Sequence, residues 1–150
     1  MATTVKPRSE FEFSNLLRRR LEGWAARSAP LEACGLLLGL SSGGVTLRVR
    51  GVLRAENLAQ RADRFELNPA DWVRAERWGA ALGLQVLGFW HSHPRGPAEP
   101  SGHDLRGTPA GYCCAIVGRS PLAGGSSKSE LRLFERRGGR LVELELSGLP

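Results

Sequence analysis

The sequence is poor in cysteine. The three it has, Cys34, Cys113 and Cys114, make neither an even set nor a Cys-x-x-Cys. That excludes a disulfide-stapled scaffold and a thiolate zinc site of ordinary spacing. The thiols are instead expected as buried, apolar side chains on strands. Long apolar runs are also missing, none approaching the ~20 residues that span a bilayer, so no membrane partner is expected. Met1 to Glu10 lacks the apolar segment and small-residue cleavage site of a secretory signal. The expected location is therefore the cytoplasm. Aromatic residues make up only 7% of the chain, and none is interleaved with the one tight basic cluster, Arg18-Arg19-Arg20. A base-stacking platform needs such interleaving. The net charge of +6 and pI near 10.2 thus do not point to nucleic acid. The cluster reads as the solvated face of a helix, and the charge as a field that steers an acidic protein partner.

What remains is an ordinary globular composition, 41% apolar and 24% charged over 150 residues. It suits one domain, 1–150, with a core of its own and a loose tail over residues 1–8. No internal repeat is present. Glu10 to Phe13 alternates and reads as a strand. Ser14 caps a helix running to about Ser28, with Leu17, Leu21 and Trp24 as its apolar face. Leu36 to Leu40 is a short apolar run, expected as a buried strand. Ser41 to Gly44 is a turn, Val45 to Leu53 a half-exposed strand, and 61–67 a loop with a short strand. Asn68-Pro69 starts a second helix, striped by Trp72, Ala75, Trp78 and Leu82 and ended by Gly83. Leu84 to Trp90 and Gly111 to Val117 are further buried strands. Pro121 to Ser129, rich in Gly and Ser, reads as a flexible loop. Leu131 to Glu135 and Leu141 to Leu146 flank Gly138-Gly139 as a closing hairpin. The class is mixed α/β, a sheet with at least two helices.

The densest chemistry lies between His91 and Asp104. The chain holds only three histidines, and two of them, His91 and His93, follow an apolar strand directly. Side chains two apart on a strand share a face, so both imidazoles can meet one ion at ~2.0–2.1 Å. Asp104 is the third candidate ligand. It also reads as the acid of a capping box opened by Ser101, and the two readings are compatible. His103 reads as exposed or as a donor behind the ligands. Three protein ligands leave a fourth tetrahedral position open, the mark of a catalytic zinc site. Such a site needs a base. No Glu lies between the histidines, so this is not a His-Glu-x-x-His helix. Spacing alone leaves Glu32, Glu56, Glu66 and Glu99 open. A zinc nucleobase deaminase would need His-x-Glu and Pro-Cys-x-x-Cys, and neither is present.

An upstream Glu, then His91-Ser92-His93-Pro94, then seven residues from Pro94 to Pro100, then Ser101-x-x-Asp104, resembles the JAMM motif of the MPN+ (JAB) metalloproteases, in their short prokaryotic form. Pro30-Leu31-Glu32-Ala33-Cys34-Gly35-Leu36-Leu37-Leu38-Gly39 is similar to that family's acid-then-strand segment. Gly88-Phe89-Trp90-His91-Ser92-His93-Pro94 is similar to its metal strand. The resemblance implies a cytidine-deaminase-like MPN fold, a curved mixed sheet flanked by helices. It implies Zn2+ held by His91, His93 and Asp104, with Glu32 as general base and acid. Ser101 would hydrogen-bond the oxyanion or position the reacting carbonyl. The implied reaction is amide hydrolysis, peptide or isopeptide, by Glu-assisted attack of zinc-activated water. The implied substrate is the C-terminal tail of a ubiquitin-like or β-grasp sulfur-carrier protein. The competing reading is a metal-stabilised module that binds such tails without cutting them. The oligomeric state is not legible.

Overall fold

The computed structural model describes residues 7–41, 44–59, 61 and 63–147. Most of the expected tail (1–6) and the middle of the expected turn (42–43) lie outside the described residues. The helices start where their caps stand. Ser14 Oγ accepts from Leu17 N at 3.2 Å and opens α1, Asn15–Ser28. Asn68 Oδ1 accepts from Ala70 N at 3.0 Å, with Pro69 in the first turn, and opens α2, Pro69–Ala81. Each cap satisfies an amide that the helix itself cannot pair. A third, six-residue helix, α3, covers Gly102–Gly107.

Among the described residues, seven strands make one mixed sheet: β1 (Glu10–Glu12), β2 (Cys34–Leu40), β3 (Thr46–Ala55), β4 (Gln85–Ser92), β5 (Cys113–Pro121), β6 (Ser127–Arg137) and β7 (Arg140–Leu146). The sheet is mixed, as expected, and its curvature is carried to closure. Three-residue β1 pairs in parallel with both β3 and β7 and closes the order β1-β3-β2-β4-β5-β6-β7 into a barrel. The closing contact is short: β1 covers only Thr46–Arg48 of β3 and Glu145–Leu146 of β7.

Strand alternation sorts the core onto two faces. Leu37, Trp90, Ala115 and Leu133 face one way and pack with Leu17 and Leu21 of α1. Leu36, Leu38, Phe89, Cys114 and Ile116 face the other and pack with Ala75 of α2. Trp24 of α1 stacks on Trp90 at 5.8 Å. All three cysteines are buried on strands, as expected.

Two expectations need correction. The stripe on α2 holds at Trp72 and Ala75, which pack against the core, but not at Trp78 and Leu82, which are 56% and 70% exposed. The buried seam is Ala75 and Gly79. A Cβ at Gly79 would lie 2.9 Å from Leu84 O and 3.4 Å from Leu38 Cδ2, an approach too close to leave room for tryptophan. The second correction is Pro121 to Ser129, which is not a flexible loop. The β5–β6 ladder runs on to Pro121 opposite Ser127, around a short 3-10 turn at Ala123–Gly125. Pairing to a strong neighbour overrides the weak strand propensity of Ser and Gly.

Candidate metal centre

β2 and β4 are antiparallel neighbours, with Cys34 opposite His91. This register brings the residues just before β2 beside those at the end of β4. Ser92 locks the junction twice. Its N–H donates to Ala33 O at 3.0 Å, and its Oγ accepts from Ala33 N at 2.8 Å. Glu32 is thereby fixed next to the two histidines, although it lies outside any strand.

The approach also depends on Gly35. Trp90 Nε1 reaches across it to donate to Leu53 O at 2.9 Å. A Cβ on residue 35 would sit 1.8 Å from that carbonyl and 2.4 Å from the indole nitrogen, so only glycine fits.

The Pro-rich loop 93–100 is docked onto β5 and β6 rather than free. His93 N donates to Val117 O at 2.8 Å, Arg119 N to Gly96 O at 2.7 Å, and Ala98 N to Glu130 Oε1 at 2.7 Å. It delivers Ser101 and α3 to the site. The capping box forms: Ser101 Oγ accepts from Asp104 N at 3.1 Å, and Asp104 Oδ2 accepts from Ser101 N at 2.7 Å. Ser101 keeps its own hydroxyl proton for another acceptor.

The structure brings the candidate residues together. His91 is fully buried and His93 half-buried, with their Nε2 atoms 3.1 Å apart. Asp104 Oδ1 is 3.0 Å from His91 Nε2, and Oδ2 is 3.5 Å from His93 Nε2. Glu32 Oε1 is 3.7 Å from His93 Nε2. Glu32, His91 and His93 each offer a donor atom within 4.8 Å of the others, so the acid expected as base stands as near the centre as a ligand does. Of its rivals, Glu99 shares the cleft but is exposed, and Glu56 and Glu66 are exposed outside it. The cleft itself, about 410 Å3, is lined by Glu32, Asp63, His93, Glu99, Pro100 and Ser101.

Electrostatics follow from this packing. Burial pushes the Glu32 carboxyl up to about 7, against the pull of His93. For Asp104 burial also acts upward, but contacts from His91, His93 and the Ser101 amide outweigh it and hold the carboxyl far below the usual range. Burial lowers His91. For His93 burial is outweighed by Asp104, the Pro97 carbonyl and Glu32, and the net direction is upward.

The set fits a divalent cation. His93 Nδ1 lies 2.9 Å from Pro97 O, and a carbonyl can only accept. The neutral ring then presents a lone pair at Nε2, aimed at two carboxylates and a second imidazole. Among the described residues, Glu32 Oε2 is buried without any hydrogen-bond partner. Acceptors crowded against each other, with one orphaned, are satisfied by a shared cation. Two imidazoles and a carboxylate are a donor set suited to zinc.

Several contributors carry little sequence signal. Asn57 Nδ2 donates to Glu32 O at 2.9 Å and to Arg64 O at 3.3 Å, while its Oδ1 accepts from Ala59 N and Glu66 N, both at 3.0 Å. It closes the neck of the segment that carries Phe65. That ring stacks on His91 at 4.5 Å. His103 Nε2 is 3.1 Å from Phe65 O, so this histidine supports the wall behind His91. Of these, only His103 was open to inference, as a donor behind the ligands.

Comparison with known proteins agrees with this geometry. Residues 15–134 match the family model described as prokaryotic homologs of the JAB domain. The chain is 33% identical over 106 residues to a desampylase of Pyrococcus furiosus, covering 67% of this chain and 71% of that one. It is 35% identical over 78 residues to tail tip assembly protein K of Escherichia phage N15, covering 51% of this chain but only 28% of the phage protein. Among solved structures, a protein from Desulfitobacterium hafniense superposes with a TM-score of 0.78 at 26% identity, covering 91% of each chain. One from Salinibacter ruber superposes with a TM-score of 0.63 at 30% identity, covering 90% of this chain and 88% of the other.

Proposed function

The chain belongs to the prokaryotic homologs of the JAB domain, and on that footing we propose that it is a zinc-dependent peptidase or isopeptidase. Its substrate would be the C-terminal tail of a ubiquitin-like or β-grasp sulfur-carrier protein. The observation that carries this reading is the convergence of His91, His93 and Asp104 beside a buried Glu32 with an unpartnered oxygen. Similarity to a desampylase points to hydrolysis. We also assign the fold to the cytidine-deaminase-like MPN type, the whole chain to one domain and the reaction to the cytoplasm.

His91, His93 and Asp104 would hold the ion. When bound, it would supply Lewis acidity and bring the pKa of a water to about 7. Glu32, raised to about 7 by burial, is matched to taking a proton from that water and returning it to the leaving amine. Ser101 has its Oγ proton to give, and would donate it to the carbonyl oxygen as negative charge develops there. Pro97 and Asn57 act at one remove, by orienting the His93 ring and the Glu32 backbone.

The test is incubation of the zinc-loaded protein with a β-grasp carrier extended beyond its C-terminal tail, followed by intact mass. The expected result is release of the extension, abolished by a chelator and restored by zinc. Binding of the carrier without any mass change would instead favour the non-catalytic docking module.

A further inference from the structure

A second recess adjoins the cleft. It holds about 240 Å3, is more enclosed than the cleft, and shares His93 and Pro94 with it. Ala25 and Ala29 of α1 line it with small side chains, and its polar lining includes Glu22, Arg119 and Ser129. Glu22 is already paired, to Arg18 Nε at 3.0 Å. Arg119 makes no ion pair among the described residues. Ser127 holds its guanidinium in place: Ser127 Oγ accepts from Nε at 3.1 Å, and Ser127 O accepts from Nη2 at 3.0 Å. That leaves Nη1 for another acceptor. Among the described residues, Ser129 Oγ is buried without a hydrogen-bond partner, and a turn about χ1 would offer it to a group in the recess.

We infer that this recess is the leaving-group subsite, that it takes a fragment of one or two residues ending in a free α-carboxylate, and that Arg119 selects that carboxylate. The inference rests on the hydrolase reading of the cleft. Size sets the side of the bond. The carrier's tail is tied to a folded domain and needs an open path, which the wider cleft of about 410 Å3 gives. The short side of the substrate can end in an enclosed space. At about 30 Å3 for each water-sized atom, the recess takes about eight non-hydrogen atoms, one amino acid of medium size or two small ones. Charge sets the chemistry. With Glu22 met by Arg18, the unmatched charge facing the recess is the Arg119 guanidinium, which suits a carboxylate. Hydrolysis breaks the C–N bond, leaves the water's oxygen on the carrier's new carboxyl, and delivers a proton through Glu32 to the amine of the fragment. A folded protein joined through a lysine could not follow its side chain into so small a space. The preferred bond is therefore a peptide bond at the end of the chain rather than an isopeptide bond.

The test compares three forms of a β-grasp carrier: one extended by two residues with a free carboxylate, the same extension ending in an amide, and the carrier joined to a lysine of a folded protein. Calorimetry with chelator-stripped protein reads binding without turnover. The free acid is expected to bind about 5- to 10-fold more tightly than the amide, a charge-assisted contact discounted for the exposure of Arg119. Arg119→Gln should erase that preference by weakening the acid, and Arg119→Lys, which keeps the charge, should retain most of it. In zinc-loaded protein the preference should appear in KM rather than kcat, and the lysine-linked carrier should be cut at least about 10-fold more slowly than the free acid. Acid and amide indistinguishable in both binding and KM overturn the proposal. So does a preference that survives Arg119→Gln, or a lysine-linked carrier cut as fast as the free acid. If zinc-loaded wild type cuts none of the three while the acid preference in binding is present and lost in Arg119→Gln, the hydrolase reading fails and the carboxylate subsite stands.

Discussion

Glu32→Gln separates chemistry from stability in one substitution. Glu32 is 4% exposed, and its carboxyl is moved by burial from 4.5 to about 7. At about 1.4 kcal/mol for each tenfold change, ionising it in the folded metal-free protein costs up to ~3 kcal/mol. It borders an open cleft, so solvent screens part of that, and ~1–3 kcal/mol is the expected size. The folded value lies above the unfolded one. Stability is therefore full below about 4.5 and lost as pH rises through about 7. Glutamine does not ionise. The variant should match wild type in mild acid, become more stable as pH rises, and hold a constant lead above neutrality. Urea denaturation of chelator-stripped protein across this range reads the difference. With zinc restored, the same variant should keep the metal but lose turnover by about 10^2- to 10^4-fold. A stability difference that stays flat with pH would refute the burial argument, and undiminished turnover would refute the base assignment.

Two further substitutions probe how the site is held. Gly35→Ala would drive a methyl group to within 1.8 Å of Leu53 O; a loss of at least ~3 kcal/mol is expected in chemical denaturation, and a near-neutral result would mean that the β2–β3 contact is looser than described. Asn57→Ala removes four hydrogen bonds, one of them to the carbonyl of Glu32. It should cost about 1–3 kcal/mol and speed amide exchange across 58–66, whereas unchanged exchange there would remove Asn57 from the support of the site.

Features whose cause is local were legible in the chain. Ser14 and Asn68-Pro69 start their helices because a cap needs only the next three residues. Leu36 to Leu38 and Cys113 to Val117 are strands because apolar runs of that length, bounded by turns, have few alternatives. The His-x-His at the end of an apolar strand declared a candidate ligand pair for the same reason. Features whose cause lies across the sheet were not. Glu10–Glu12 closes the barrel through partners at Thr46–Arg48 and Glu145–Leu146, and nothing in its own three residues says so. Trp78 has helical spacing for the core, yet the close approach at Gly79 leaves it outside.

By itself, then, the order of residues determined the helix starts, the strand alternation and the kinds of side chain available for chemistry, because each depends on neighbours in the chain. Tertiary structure alone decided that Glu32 stands beside His93, through the β2–β4 register and the Ser92–Ala33 bonds. It alone placed Phe65 and Cys114 against His91, and Thr108 against the Asp104 carbonyl. Those contacts join residues far apart in sequence, and their geometry exists only once the strands have paired.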